Sequence, residues 1–408
     1  MLFKQSKAFK LIKLEEKRQL ETINLIPSEN YPSPAVLEAL GSILTSKYSE
    51  GYPEKRYYPG NKIYDQIELL AQEYAKAVFK AKNYHVNVQP YSGTPANLAV
   101  YLGLLNFGDT ILSMNLFHGG HLSHGHNVNF SGRVYKIIQY GVDSKTGRIN
   151  YEEVRKLAKK YKPKLIVSGA TAYPRKINFR KFHQIAREVG AILMADISHI
   201  AGLIIAGLHP SPFPFTDVVT TTTHKTLRGP RGAVIFCKSK FAQVIDRAVF
   251  PGIQGGPHNH VIAAKLVCFE EAKKPSFKKY QEQVVKNAKV LAQELKKYGF
   301  NLVSGGTDNH LILIDLRNKN ISGKEAEEKL EQAEIIVNRN TIPNDPRSAF
   351  NPSGIRLGTP AVTTRGMKEK EMKKIAKWIY QVVSGRASFK EIRKEVKGFS
   401  KKFFIPSL

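Results

Sequence analysis

One lysine of this chain has a sequence context suited to covalent chemistry. Lys225 follows four threonines and His224, and residues 229–232 behind it read Gly-Pro-Arg-Gly. The β-branched threonines favour a strand and the glycine–proline loop ends it, so we predict an amine at a strand end, partly withdrawn from water. Desolvation lowers the pKa of a lysine, and the neutral amine can form a Schiff base. Because the chain has 63 Lys and Arg residues, a solvated surface charge is the alternative for Lys225 taken alone.

Asp196 is a second candidate. It closes the apolar run of residues 191–196, and His199 follows it three positions later. An aspartate at a strand end can cap the next turn. It can also pair with a protonated ring nitrogen, as a pyridinium cofactor requires. The residue type alone leaves both interpretations open.

Residues 92–97, with the sequence Ser-Gly-Thr-Pro-Ala-Asn, open an apolar stretch with helical spacing. We predict that Thr94 is the N-cap of this helix and that Pro95 lies in its first turn. A glycine-containing loop at a helix N-terminus presents N–H groups suited to a phosphate. Most capped helices bind no ligand, so this pattern is a weak indication when it stands alone.

Four histidines fall within residues 118–126, in a glycine-rich loop. The loop offers no carboxylate or cysteine at metal-ligand spacing, so we expect no metal. An imidazole that stacks on a flat cofactor suits His121 better. A stacking histidine, a phosphate loop, a strand-end aspartate and a strand-end lysine are together what pyridoxal phosphate requires.

The elements that must position these residues alternate along the middle third of the chain. Residues 164–167, 191–196 and 217–222 are typical of buried strands, and residues 179–189 carry one apolar helical stripe. Such alternation predicts an α/β fold with a mostly parallel sheet and helices on both faces. Ligands of these folds lie beyond the carboxyl ends of the strands, where Asp196 and Lys225 are both expected.

The pattern changes near residues 273–275. A long amphipathic helix over residues 277–298 ends at Gly299, a strand follows at 310–316, and Ser322 with Glu325 forms a capping-box sequence. A last helical stripe covers residues 372–382. We therefore predict an N-terminal arm (residues 1–35), a large domain (36–274) and a smaller C-terminal α+β domain (275–408).

Composition limits the remaining possibilities. The chain has 408 residues, two cysteines and a formal net charge of +29, and its sequence contains no apolar run of membrane-spanning length. We expect a cytoplasmic protein, because neither a disulfide scaffold nor a secretory signal is indicated. The basic excess favours polyanionic partners, but the lysines are dispersed and lack interleaved aromatics, which favours solvated surfaces over a nucleic-acid groove.

Several long motifs resemble those of one enzyme family. They are residues 25–31 (LIPSENY), 48–53 (YSEGYP), 55–58 (KRYY), 118–122 (HGGHL), 220–225 (TTTTHK), 250–257 (FPGIQGGP) and 353–360 (SGIRLGTP). In this order, and over nearly the whole chain, they resemble serine hydroxymethyltransferase, more the bacterial type than the methanogen type. Thr94 and Thr171 depart from a usual serine and Pro59 from a usual glycine, and none of the three removes a catalytic group.

This resemblance implies a fold type I pyridoxal-phosphate enzyme that transfers the hydroxymethyl group of serine reversibly to tetrahydrofolate, giving glycine and methylenetetrahydrofolate. It implies a homodimer with shared active sites. The implied catalytic residues are Lys225, Glu50, His121, Asp196 and His224. The implied cofactor contacts include, besides four of these, Tyr48, Ser92, Gly93, Thr94, Thr171, His199, Gly255 and Gly256. The implied substrate contacts are Ser28, Glu50, Tyr57, Tyr58, Leu116, Gly120, Leu122, Asn340 and Arg356.

The resemblance also assigns individual roles. Lys225 holds the cofactor covalently and Asp196 binds its pyridine nitrogen. Tyr48 and the glycines at 255–256 reach the phosphate of the partner subunit, and Glu50 and Tyr58 reach its substrate. Arg356, with Ser28, holds the amino-acid carboxylate, onto which a guanidinium forks with two hydrogen bonds; without the resemblance, a surface ion pair would be the expected role of this arginine.

Two alternatives stay open. One is a folate-independent aldolase on the same fold that cleaves 3-hydroxy amino acids, from which tetrahydrofolate dependence would distinguish this chain. The other is a nucleic-acid-binding protein for which the +29 charge is the selected property. RNA binding is also compatible with catalysis, and it would show an affinity that falls steeply with salt.

Overall fold

The structure is a computed structural model, and it describes residues 6–407. The helices, in chain order, are α1 (Lys7–Glu21), α2 (Pro34–Leu40), α3 (Lys62–Phe79), α4 (Gly93–Leu104), α5 (Phe130–Val134), α6 (Tyr151–Tyr161), α7 (Phe179–Val189), α8 (Ala201–Ile205), α9 (Ala242–Arg247), α10 (Asn259–Ala272), α11 (Pro275–Lys297), α12 (Gly323–Gln332), α13 (Pro360–Thr364), α14 (Glu369–Val383) and α15 (Phe389–Ser400). The strands are β1 (Ile23–Asn24), β2 (Gly51–Tyr52), β3 (Lys55–Arg56), β4 (Tyr84–Asn87), β5 (Thr110–Met114), β6 (Lys136–Tyr140), β7 (Leu165–Gly169), β8 (Ile192–Asp196), β9 (Val218–Thr222), β10 (Ala233–Lys238), β11 (Asn301–Leu302), β12 (Leu311–Asp315), β13 (Ile335–Ile336), β14 (Asn338–Asn340) and β15 (Gly354–Gly358).

The chain forms two compact units. Residues 32–282 form one, called here the central unit; residues 6–31 together with 283–407 form the other, the terminal unit. The border between them falls inside α11. The functional division predicted from sequence, with a separate arm and a border at residue 275, stays a prediction. Among the described residues, no helix is both long and apolar enough to cross a membrane.

A seven-stranded sheet organises the described part of the central unit, in the order β4-β10-β9-β8-β7-β5-β6. The neighbours from β9 to β6 are parallel, whereas β10 runs antiparallel to both β9 and β4. Nearly every residue of β7, β8 and β9 is buried, which is typical of parallel strands covered on both faces. The predicted α/β class with a mostly parallel sheet is therefore confirmed.

The register of the sheet brings the predicted strand ends together. Asp196 pairs with Gly169 on one side and with Thr220 on the other. The helix predicted over residues 179–189 is α7, which buries its apolar stripe and ends at Gly190 with φ of 69°, a conformation that glycine adopts without steric cost. The loops that follow β7, β8 and β9 consequently meet at one edge.

The terminal unit is built on an antiparallel sheet, β11-β12-β15-β14. Its core is apolar and includes Trp378, which is 1% exposed. The N-terminal segment belongs here because β1 pairs with β13 and the guanidinium of Arg365 donates to the carbonyls of Gln19, Leu20 and Thr22. The helices predicted at 277–298 and 372–382 correspond to α11 and α14.

The predicted capping box at α12 is only partly present. The hydroxyl of Ser322 accepts the N–H of Glu325 at 3.1 Å, as a capping box requires. The Glu325 carboxylate pairs instead with Lys329, one turn along the helix, at 2.8 Å.

Candidate active site

Lys225 lies in a tight loop three residues beyond the end of β9 and is 9% exposed. Thr223 fixes this loop: its N–H donates to Gly232 O at 3.1 Å and its hydroxyl donates to Pro230 O at 2.6 Å. The amine is therefore buried at the carboxyl end of a central strand, in agreement with the sequence context.

Asp196 ends the neighbouring strand β8, and its carboxylate is surrounded by donors. Oδ2 accepts from Asn97 Nδ2 at 2.9 Å and lies 3.0 Å from His124 Nε2; Oδ1 accepts from the hydroxyl of Ser198 at 2.6 Å and from its N–H at 3.1 Å. Burial opposes ionisation, but the hydrogen bonds from His124, Asn97 and Ser198 outweigh it and hold the pKa of Asp196 well below its ordinary value. The carboxylate therefore stays ionised at neutral pH.

A chain of hydrogen bonds connects this carboxylate to His121. The Asn97 amide donates to Ser123 Oγ as well as to Asp196, and its oxygen accepts from the hydroxyl of Thr220 at 2.7 Å. Ser123 Oγ lies 2.8 Å from His121 Nδ1, which also accepts the Ser123 N–H at 3.2 Å. Because Nδ1 accepts that N–H, the proton of the neutral imidazole lies on Nε2.

The sequence interpretation missed the residues that hold Asp196 and His121. They are Asn97, Ser123, His124 and Ser198. The sequence marked two of them as members of a candidate segment. Asn97 belongs to the loop and helix start at residues 92–97, and His124 is one of the clustered histidines. The two serines are recognised only from the fold.

The prediction that Thr94 caps helix α4 is wrong. The helix begins at Gly93, and Ser92 is the N-cap, with extended backbone at φ −161° and ψ 178°. Thr94 and Pro95 lie inside the first turn, where an N–H has no helical acceptor and proline is tolerated. The Ser92 hydroxyl makes no capping hydrogen bond, so the N-terminal N–H groups of α4 are not capped by it.

Two buried polar atoms at the end of β9 have no hydrogen-bond partner among the described residues. They are Thr222 Oγ1 and His224 Nδ1. Thr222 lies directly against the start of α4, since a Cβ on Gly93 would come within 2.8 Å of Thr222 Cγ2. Burial, and then the charges of Lys225 and Arg231, lower the pKa of His224 to about 3. Its imidazole is therefore neutral, and this corner suits a hydrogen-bond-accepting anion.

Thr171 and His199 bring the loops after β7 and β8 together. Thr171 Oγ1 lies 2.9 Å from His199 Nε2. The Thr171 N–H donates to Gly119 O at 2.7 Å, and the hydroxyl of Thr226 donates to His199 O at 3.0 Å. The predicted pair is thus in contact and fixed from both sides.

Five further predicted residues form one surface of the central unit, called here the outer patch: Tyr48, Glu50, Tyr58, Gly255 and Gly256. A Cβ on Gly256 would lie 3.1 Å from Tyr48 Cε1, and one on Gly255 would lie 3.5 Å from Glu50 Oε1. The rings of Tyr48 and Tyr58 meet edge to face with centroids 5.4 Å apart. Tyr48 is 57% exposed, so the patch faces outward in the single chain.

The predicted substrate-binding residues of the central unit lie on two loops. Leu116 and Leu122 begin short 3₁₀ turns, and Leu122 is 43% exposed. Gly120 lies between them, where a Cβ would come within 2.2 Å of Met114 O. Tyr57 is 73% exposed and contacts the ring of Phe250.

The other predicted substrate-binding residues belong to the terminal unit. Arg356 on β15 is 8% exposed, and its Nε donates to Asn338 Oδ1 at 3.1 Å. Burial lowers the pKa of Arg356 to about 10, so it remains a cation at neutral pH. On β14, Asn340 donates to Thr341 O at 2.7 Å. Ser28 is half-buried in the segment that follows β1.

Comparison with known families identifies the chain. A family model described as serine hydroxymethyltransferase matches residues 3–379. The chain belongs to the serine hydroxymethyltransferase family. It is therefore a pyridoxal-phosphate-dependent transferase of fold type I, with tetrahydrofolate as co-substrate, which confirms the predicted family, enzyme class and cofactors.

Asp196, Lys225, His224 and the start of α4, called here the pocket, fit the cofactor of serine hydroxymethyltransferases. Asp196 offers a carboxylate that is ionised at neutral pH for a pyridine nitrogen. The start of α4, with the unpartnered atoms of Thr222 and His224 nearby, offers donors for a phosphate. Lys225 supplies the buried amine. The donor set of the central unit thus matches both ends of pyridoxal phosphate.

Proposed function

We propose that this enzyme transfers the hydroxymethyl group of serine reversibly to tetrahydrofolate, giving glycine and methylenetetrahydrofolate. The observation that carries the proposal is the placement of Asp196 and Lys225 at the ends of adjacent strands. Asp196 is paired in register with Thr220, five positions before the lysine. A buried amine and an ionised carboxylate at one sheet edge are what the cofactor requires.

When bound, pyridoxal phosphate supplies an electron sink for the electron pair left by breaking a bond to the serine Cα. Asp196 keeps the ring nitrogen protonated, and His121 stacks on the ring with its orientation fixed by Ser123. Ser92, Gly93, Thr94 and His224 hold the phosphate. Thr171 and His199 would interact with the phenolic oxygen, and Lys225 would hold the cofactor covalently.

The proposed substrate-binding residues comprise one cation and several neutral residues. Arg356, still cationic at neutral pH, binds the amino-acid carboxylate together with Ser28. Its burial favours this role, because a desolvated guanidinium gains more from a carboxylate than an exposed one does. Asn340 contacts the pterin. Leu116, Gly120, Leu122 and Tyr57 line the substrate side.

We also propose that the active enzyme is a homodimer with shared sites. In this arrangement the outer patch of one subunit completes the pocket of the other. Tyr48, Gly255 and Gly256 reach the phosphate, and Glu50 and Tyr58 reach the substrate, where Glu50 assists proton transfer. The outward exposure of the patch supports this assignment. The bacterial type, the cytoplasmic location and RNA binding remain predictions.

The first test is replacement of Lys225. Lys225→Gln should lower glycine formation from serine by roughly 10³-fold or more, while the free energy of unfolding stays near that of the wild type. Lys145→Gln, at an exposed loop position, is the control and should keep full turnover. Wild-type turnover in Lys225→Gln would refute the assignment of the site. Glycine release that is indifferent to tetrahydrofolate would favour the aldolase alternative.

A further inference from the structure

Hydrogen bonds and a ring contact connect two segments of the central unit that the proposed function assigns to phosphate binding. One is residues 88–91, which lead directly into Ser92 and Gly93; the other is residues 254–258, which include Gly255 and Gly256. Both belong to a single chain. Their connections involve side chains to which the proposed mechanism gives no role.

Tyr91 and Gln254 make the first connections. The N–H of Tyr91 donates to Gln254 Oε1 at 3.0 Å, and Gln254 Nε2 donates back to Gln89 O at 3.1 Å. The hydroxyl of Tyr91 donates to Gly256 O at 2.7 Å. Its ring is stacked on His258, with centroids 4.2 Å apart and planes 9° from parallel. The last residue before the α4 N-cap is therefore held at its backbone, its ring and its hydroxyl.

Lys265 on α10 adds a connection through its amine. It is 1% exposed, and its Nζ donates to Val88 O at 2.6 Å, to Ala233 O at 2.9 Å and to Pro90 O at 3.1 Å. In its protonated form, the group has one proton for each of the three carbonyls. Burial lowers the pKa of Lys265 to about 7, against the opposing charge of Glu68. An apolar side chain would fill this space at a lower desolvation cost, but it would leave three carbonyls without this donor.

We infer that Tyr91, Gln254 and Lys265 are positioning residues that hold the Ser92–Gly93 helix start and the Gly255–Gly256 loop at one fixed separation. The inference rests on the proposed function, in which the glycine loop serves the phosphate of a second copy of this chain. Each subunit then carries a rigid connection, called here the loop clamp, between its own phosphate site and that of its partner. Loosening the clamp in one subunit therefore weakens both cofactor sites of the dimer.

The physical reason is the short range of the contacts that bind a phosphate. Backbone N–H groups bind an oxyanion only when they are held at hydrogen-bond distance. Glycine loops are the most costly segments of a chain to order. A clamp that removes this freedom before the cofactor arrives raises cofactor affinity without touching the cofactor.

The first experiment compares two tyrosines with equivalent chemistry. Tyr91→Phe keeps the stacked ring and removes only the hydrogen bond to Gly256. Tyr84→Phe, on β4, removes a buried hydroxyl whose single proton is shared between the carbonyls of Phe213 and Thr216. The dissociation constant of pyridoxal phosphate, measured by titrating cofactor-free protein and following visible absorption, should rise about fivefold in Tyr91→Phe, from the loss of one neutral hydrogen bond.

In Tyr84→Phe the constant should stay within about twofold of the wild-type value, although the lost hydrogen bond is of the same kind. Urea unfolding of both variants controls for a general loss of stability. Equal weakening of cofactor binding in the two variants would overturn the inference, because it would make the effect one of stability. So would an unchanged constant in Tyr91→Phe.

The second experiment tests the effect across the dimer. In a mixed dimer of a wild-type subunit and a Lys225→Gln subunit, only the site with the wild-type lysine is active. Adding Tyr91→Phe to the Lys225→Gln subunit should weaken cofactor binding at that one active site measurably, but by less than the fivefold of the Tyr91→Phe homodimer, because only the partner's clamp is loosened there. An unchanged constant would overturn the coupling. Turnover by the Lys225→Gln homodimer would instead refute the proposed function, so the two failures are distinguishable.

Discussion

The cofactor pocket and the outer patch of the central unit are built in opposite ways. In the pocket, Asp196 is 9% exposed, and its carboxylate oxygens accept hydrogen bonds from residues far apart in the chain. In the patch, Tyr48 is 57% and Tyr58 is 45% exposed, and their rings contact each other. The pocket is preorganised within one chain, whereas the patch is exposed and, under the proposed function, acts only on the site of a second subunit.

This contrast decides what a variant of each region can report. The pocket contains most of the electrostatic preorganisation, because a fixed charge in a buried site acts strongly on a bound cofactor. In the proposed dimer, the patch contributes groups that act only after assembly. Predictions for the pocket therefore concern single subunits, and those for the patch concern dimers.

After replacement of Lys225, the largest effect is expected at Asp196. Asp196→Asn keeps the size of the side chain but removes the negative charge that holds the cofactor nitrogen protonated. We expect the turnover number for glycine formation to fall roughly 10³-fold. Asp217→Asn is the matched control, because that carboxylate lies before the first residue of β9, at the opposite end of the strand, where it accepts from Leu193 N–H and pairs with Lys238 at 2.8 Å. Similar losses in both variants would mean that the effect is structural.

A smaller effect is expected from the buried imidazole of His224. Its pKa is about 3 in the folded protein and about 6.5 when unfolded. Between these values the unfolded state binds more protons, so the free energy of unfolding falls as the pH falls from 6.5 towards 3, by up to about 1.4 kcal/mol per pH unit. Asparagine does not titrate, so this contribution is absent in His224→Asn when both proteins are compared without cofactor.

Urea unfolding of wild type and His224→Asn at several pH values between 6.5 and 4.5 measures the difference. The wild type should lose more stability than the variant over this interval. Parallel pH dependences would show that the imidazole is as accessible to protons in the folded state as in the unfolded chain. The pocket would then be less closed than its burial indicates.

Much of the fold could be predicted from the sequence because the patterns are local. The apolar stripe of α7 and the run that ends at Asp196 each lie within about a dozen residues. The family motifs supplied the candidate residues of both regions. The start of α4 was misplaced by two residues, because Ser92 and Thr94 are both acceptable N-caps and only the backbone distinguishes them.

The rest could not be predicted, because it depends on contacts between distant parts of the chain. Asn97 and Asp196 are 99 positions apart, and Thr220 and Asn97 are 123 apart. Lys265 is one of many lysines in the sequence, and only the fold shows three carbonyls around it. Residues that hold a site together carry no motif of their own.

Complementation between two damaged subunits tests the central claim most directly. Lys225→Gln removes the pocket lysine, and Glu50→Gln removes a carboxyl group of the outer patch. If the patch of one subunit serves the pocket of the other, a mixed dimer has one site with both defects and one intact site. After unfolding and refolding an equal mixture of two variants that are each inactive alone, glycine formation should recover to about a quarter of the wild-type rate. If mixed dimers form but remain as inactive as their parents, each pocket uses its own patch and the account of shared sites is wrong.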